Sequence, residues 1–203
     1  VWICRWLGYG LMPLGANKVA LLGVAGAVTD TAILLSTAVA SGDSSVTFSV
    51  PATYKQICFK LYAISVSTDG THIRFQGSIN GGSSHGVTAT STYFRTYHNE
   101  NNVSADGPGA AWGMAQSTNP QLFLYEIGND ADQCGVAELT LYNPASTTYV
   151  KHWTSRSNSL IASDVSYEIH TAGYFNDTND IDSIQFTPSA GTMSGTIKMW
   201  GVL

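Results

Sequence analysis

Charge is what this chain has least of. Only 11% of its 203 residues are Asp, Glu, Lys or Arg, and the nine basic residues lie scattered from Arg5 to Lys198 without a run. With a net charge of −5 and a pI near 5.3, the chain has no basic patch that could displace counterions from a phosphate backbone, which excludes nucleic acid as a partner. Cysteine is also scarce. Cys4, Cys58 and Cys134 are odd in number, far apart and in no CxxC or Cys/His spacing, so the fold does not depend on a disulfide framework. Cys58 falls inside an alternating run and reads as a small hydrophobe. No long amphipathic helical pattern occurs anywhere. Catalytic signatures are missing as well: His72, His85, His98, His152 and His170 are dispersed without an HExxH, and the many serines include no GxSxG elbow. Glu100, Glu126, Glu138 and Glu168 are not brought together by local spacing as a glycosidase pair would have to be. The expectation is a non-enzymatic protein with no cofactor and no metal.

What the chain does contain is glycine, aromatics and small polar residues. There are 20 Gly, and Ser, Thr and Asn fill much of the remainder. This is the profile of a β-rich surface or extracellular protein whose solvent face uses hydroxyls and amides. The most informative stretch is Tyr54 to Ser84, where YKQICFKLYAIS and HIRFQGSINGGSS flank an S-T-D-G turn. Ile57, Phe59, Leu61 and Ala63 fall on one side of a period-2 strand and Lys60 and Tyr62 on the other. Asp69-Gly70 lets the chain reverse as a hairpin, returning Ile73 and Phe75 to the same apolar layer.

Further short strands are predicted at 44–50, 90–98, 121–127, 135–142, 148–155, 165–174, 181–186 and 195–202, with 100–113 as a Gly/Pro/Asn loop. About ten strands in all, at spacings of roughly 10 to 20 residues, predict an all-β fold: an antiparallel two-sheet β-sandwich, jelly-roll-like. The last strand, which closes the sequence, is expected to be paired centrally.

The N-terminal quarter carries two apolar runs, Val19 to Val28 and Ala32 to Ala40, split by Thr29-Asp30-Thr31. Asp30 in the middle opposes a membrane span, and the long apolar stretch before Lys18 opposes a signal peptide. The reading is an extended N-terminal arm over residues 1–30, followed by a jelly-roll β-sandwich over 31–203, with no membrane partner. Within the arm, Trp2, Trp6, Tyr9 and Met12 stand among three glycines and a proline with no helix or strand period. Such residues need something to dock on, either the chain's own sandwich or a neighbouring subunit, and they form a candidate assembly anchor. The Asp-rich stretches 176–182 and 129–132 offer oxygen ligands but lack the EF-hand spacing, and they read as Asx-rich turns.

The segments YKQICFKLYAIS-VSTDGTHIRFQGSINGGSSHG, AELTLYNPAS-TTYVKHWTS and DIDSIQFTPSAGTMSGTIKMWGVL, in that order, resemble a group of tailed-bacteriophage virion structural proteins. In that group an early strand pair with an S-T-D-G turn precedes a strand ending in Y-N-P, and a G-x-I/F-x-M/L-Y/W-G strand closes the domain. The resemblance runs from about Leu21 to Leu203. It implies a jelly-roll virion protein of capsid decoration, cement or tail-fibre type, located in the extracellular particle. It supplies no catalytic residues; Asp69, Gly70, Gly81, Gly82, Asn143, Pro144, Gly195 and Gly201 are the matching positions, as shapers of turns and strands. The expected partners are other virion proteins and further copies of the chain, a homotrimer being favoured because it would cover sheet edges and apolar faces. A second reading is a receptor- or carbohydrate-binding module, in which Trp112 and Trp153 stack sugar rings from loops and the ligand is a host surface glycan.

Overall fold

A computed structural model describes residues 32–108 and 112–203. The arm 1–30 and its anchor residues Trp2, Trp6, Tyr9 and Met12 lie outside the described residues. Twelve strands follow along the chain: β1 (Ile33–Asp43), β2 (Val46–Ser49), β3 (Gln56–Val66), β4 (Thr71–Ser78), β5 (Ala89–Asn99), β6 (Ser104–Pro108), β7 (Gln121–Ile127), β8 (Gly135–Tyr142), β9 (Lys151–Leu160), β10 (Val165–Phe175), β11 (Ser183–Pro188) and β12 (Met193–Val202). None of the described residues is helical.

The strands form two antiparallel sheets, an eight-stranded one ordered β1-β12-β3-β8-β9-β10-β5-β6 and a four-stranded one ordered β2-β11-β4-β7. The pairs β1·β12, β2·β11, β3·β8 and β4·β7 are nested. This is a long hairpin folded over on itself, the topology of a jelly roll. Two insertions widen the larger sheet: β5–β6 between β4 and β7, and β9–β10 between β8 and β11. As expected, β12 is paired on both sides, by β1 and β3.

The S-T-D-G turn does not close a hairpin. β3 belongs to the large sheet and β4 to the small one, so the turn carries the chain across the core. Both strands still point their apolar residues at one layer, because the sheets face each other and alternate residues of each are buried. Gly70 takes φ 66°, and the Thr71 hydroxyl donates to the Thr68 carbonyl at 2.7 Å, fixing the reversal. Ala63 is not in the apolar layer either. It is exposed with φ 48°, and the register shifts between Leu61 and Ile64, so fully buried Ile64 takes the inward position. This bulge faces a second one in β12 at Gly195, where a Cβ would lie 2.7 Å from the Ala63 carbonyl.

A continuous row of aromatic rings fills the space between the sheets. Phe59 lies edge-on to Phe48 at 5.5 Å and to Phe186 at 5.4 Å; Phe186 stacks on Phe123 at 5.9 Å. Phe75 lies edge-on to Phe123 at 5.5 Å and to Trp153 at 5.0 Å. Such pairs contribute about 0.5–1.5 kcal/mol each beyond area burial. The side of the sandwich at β7 is closed by hydroxyls: Ser157 and Ser159 of β9 donate to the Phe123 and Tyr125 carbonyls of β7 at 2.6 and 2.7 Å. The larger sheet then runs on past β9, and β10, β5 and β6 extend beyond the small sheet.

Candidate functional site

Trp153, expected to stack a ligand from a loop, sits on β9 with its side chain in the core and 1% exposed. Alternation along β9 turns Lys151, Trp153, Ser155, Ser157 and Ser159 inward, and all five are buried. A sugar ring cannot reach this indole in the folded protein. Lys151 is held with it: its ammonium donates to the Tyr149 and Asp177 carbonyls at 3.2 and 2.9 Å.

Trp112 is half-buried where the chain returns from β6 to β7. Its ring is edge-on to His72 at 5.2 Å and to Tyr125 at 6.1 Å. From there a band of rings continues along the overhang of the large sheet: Tyr125 to Tyr167 at 4.9 Å and Tyr167 stacked on Tyr97 at 5.1 Å. The Arg95 guanidinium lies over both Tyr125 and Tyr167, 5.8 and 5.7 Å from their centroids, within the range of a cation–π contact. Beneath the band Tyr93, Leu122 and Ile169 form a small second core. The Tyr93 hydroxyl is buried there without a hydrogen-bond partner among the described residues. Burial pushes it, Tyr125 and Tyr167 above the ordinary phenol range, with Arg95 opposing.

His72 is the hinge of this cluster. Its Nδ1 accepts the backbone N–H of Glu126 at 3.0 Å, which fixes a neutral ring at that position, and Glu126 itself is forced to φ 39°. Burial and then the Arg74 charge lower the imidazole pKa, against a smaller pull from Glu126. On the far side of Trp112 a groove of about 520 Å³ is lined by Arg74, Met114, Asn119 and Leu122. Three arginines lie among the described residues. Arg156 is paired with Glu168, whereas neither Arg74 nor Arg95 has a carboxylate or hydrogen-bond partner for its guanidinium among the described residues.

The outer face of the large sheet carries a different feature, a concavity of about 860 Å³. Lys60, Glu138, Arg156 and His170 stand in register across β3, β8, β9 and β10. Lys60 is 3.5 Å from Glu138; Arg156 Nε donates to Glu168 at 2.6 Å, and His170 Nε2 lies 3.0 Å from the same oxygen. The hydrogen bond from Arg156 holds Glu168 below the usual carboxylate range, with His170 adding to it and burial opposing. These contacts tie β3 to β8 and β9 to β10. The charges are spent on one another.

The acidic stretches are engaged in hydrogen bonds of turns and loops. Asp182 accepts the Gly81 N–H at 2.6 Å and so ties down the Gly-Gly tip, Asp177 accepts the Asn179 N–H at 2.8 Å, and Asp69 receives the Asn129 N–H at 3.3 Å. Among the described residues no group of three His, Cys, Asp or Glu is placed to hold a metal ion.

Sequence reasoning singled out Trp112 and missed the residues around it. His72, Arg74, Arg95, Tyr97, Tyr125 and Tyr167 come from four strands. The local signal that could have found them is Tyr93-Phe94-Arg95-Thr96-Tyr97, a Tyr/Arg/Tyr alternation on one face of β5. Comparison with known proteins gives no match, either to a protein family or to a curated sequence.

Proposed function

We propose that this chain is a structural component of a bacteriophage virion, a jelly-roll module that assembles in several copies on the capsid as a decoration or cement protein, or in a tail fibre. The segments that resemble phage virion proteins occupy framework positions here. The S-T-D-G turn links the two sheets, AELTLYNP is β8 with its exit turn, and the closing segment is β11 and β12.

The observation that supports assembly is β1, an edge strand among the described residues. It runs for 11 residues without Pro, Lys or Arg, has a single charge at Asp43, and leaves Ile33, Leu34 and Val39 exposed, the last by 72%. Natural sheets shield such an edge with charges, proline or brevity. The other outer strands are shielded: β6 has five residues with Asp106 and Pro108, β2 has four, and β7 gives its carbonyls to Ser157 and Ser159. Tyr62, Val136 and Tyr142 add exposed apolar area on the outer face of the same sheet. A neighbouring subunit would bury this surface, and closed symmetry, with a trimer favoured, would limit the assembly.

The test is the mass of the purified full chain in solution by light scattering. A trimer of the 21.6 kDa chain is expected. A monomer that persists at micromolar concentration would defeat the assembly reading.

A further inference from the structure

We propose that the Trp112–Arg74 groove and the adjoining ring band bind an acidic oligosaccharide, one carboxylated pyranose lying on the indole beside Arg74 and the chain continuing toward Arg95. This goes beyond a role in assembly and does not depend on it.

The placement of cations carries the inference. In a chain of net charge −5, the two arginines without an anionic partner among the described residues both border the same band of rings. A guanidinium offers a planar fork of donors that matches a carboxylate, and it keeps its charge at any physiological pH. Trp112 supplies the complementary element. The negative face of an aromatic ring attracts the weakly positive C–H face of a sugar ring, and the indole is half-buried at the groove, in T-shaped contact with His72 and Tyr125. The groove, about 520 Å³, falls in the ~300–1,000 Å³ range of small-ligand clefts. Asn119, also in its wall, is a side chain able to both donate to and accept from sugar hydroxyls.

Other occupants fit less well. A peptide commonly binds a sandwich by adding a strand to a free edge. The edge nearest this groove is β7, whose Phe123 and Tyr125 carbonyls already accept the Ser157 and Ser159 hydroxyls. A neutral glycan would leave both arginines unused. The carboxylate facing the band is Glu126, whose charge acts on His72, Tyr93, Tyr125 and Tyr167, but it forms no ion pair with Arg74 or Arg95.

Titration of the full-length protein, followed by calorimetry and by tryptophan fluorescence, tests this with trigalacturonate and its methyl ester, sialyllactose and lactose, and a hexaglutamate peptide. At least one acidic sugar should bind at least about tenfold more tightly than its uncharged counterpart, the difference expected from a charge-assisted hydrogen bond. Arg74→Gln should remove that preference while the melting temperature stays at the parent value. Arg95→Gln should weaken the longer acidic sugar, and Trp112→Ala should weaken acidic and neutral sugars alike. Three results would overturn the proposal: no acidic sugar bound at millimolar concentration, acidic and neutral sugars bound equally, or the hexaglutamate peptide bound in their place.

Discussion

Truncating Trp153 separates a core tryptophan from a ligand-binding one. The indole is 1% exposed and touches Phe75 edge-on at 5.0 Å and Phe175 at 6.4 Å. Gly173 forms its floor, with no room for even a Cβ: one placed there would lie 2.6 Å from Trp153 Cζ2. Trp153→Ala therefore leaves a cavity that rigid neighbours cannot refill, a change that costs about 3–5 kcal/mol. One contribution opposes. The indole N–H is buried without an acceptor among the described residues, and its deletion returns roughly 1–3 kcal/mol of desolvation. The difference is a net loss of about 2 kcal/mol, which for a domain of this size lowers the melting temperature by about 4–8 °C. Trp153→Phe keeps a ring in the slot and removes the orphan donor, so its loss should stay below about 1 kcal/mol. Urea and thermal unfolding at one fixed protein concentration measure both, since association would otherwise shift the midpoint. A Trp153→Ala protein melting within about 2 °C of the parent, or a Phe variant as damaged as the Ala variant, would refute the core placement.

Three further outcomes are expected. Gly173→Ala should cost at least about 2 kcal/mol in urea unfolding, because the new Cβ meets the Thr90 carbonyl as well as the indole, each at 2.6 Å; a neutral substitution would contradict the packing described. The Trp112 cluster should loosen in acid. The His72 pKa is lowered by burial, so its neutral form stabilises the fold fully above the ordinary value of 6.5, and that stabilisation is lost as pH falls from there toward the lowered folded value. Tryptophan emission and stability should both fall across that window, and His72→Gln should flatten the change; an unaltered profile in the variant would assign the transition to another group. By contrast, the exposed Arg156–Glu168 pair should show a coupling of no more than about 1 kcal/mol in a double-mutant cycle, diminished by salt. A larger value would mean that the outer face is more shielded from water than the free chain makes it.

The fold was legible where burial is carried by apolar alternation. β7 and β8 match the expected 121–127 and 135–142, and β10 differs by one residue from 165–174, because one clean apolar stripe marks each. The expected strand 148–155 stops short of the end of β9 at Leu160. The inner face of β9 continues as Ser155, Ser157 and Ser159, which are buried through hydrogen bonds to Thr171 and to β7 carbonyls and leave no hydrophobic trace. β6 falls inside the expected loop 100–113 because Ser104–Pro108 contains almost no apolar side chain and pairs only as an edge. Reading β3 and β4 as a hairpin assigned a local turn to what is a passage between sheets; alternation reports which face is buried, not which sheet a strand joins. The candidate site was legible only as Trp112. Its arginines and tyrosines converge from β4, β5, β7 and β10, and a single sequence gives no register between distant strands.

Assembly into a particle is the claim that carries most of this account, and copy number in purified virions tests it most directly. Quantitative mass spectrometry of particles from a phage encoding this chain should find it at many copies per virion, in capsid-like or tail-like proportion to the other structural proteins. Particles that lack the chain, while infected cells contain it free, would contradict the proposal.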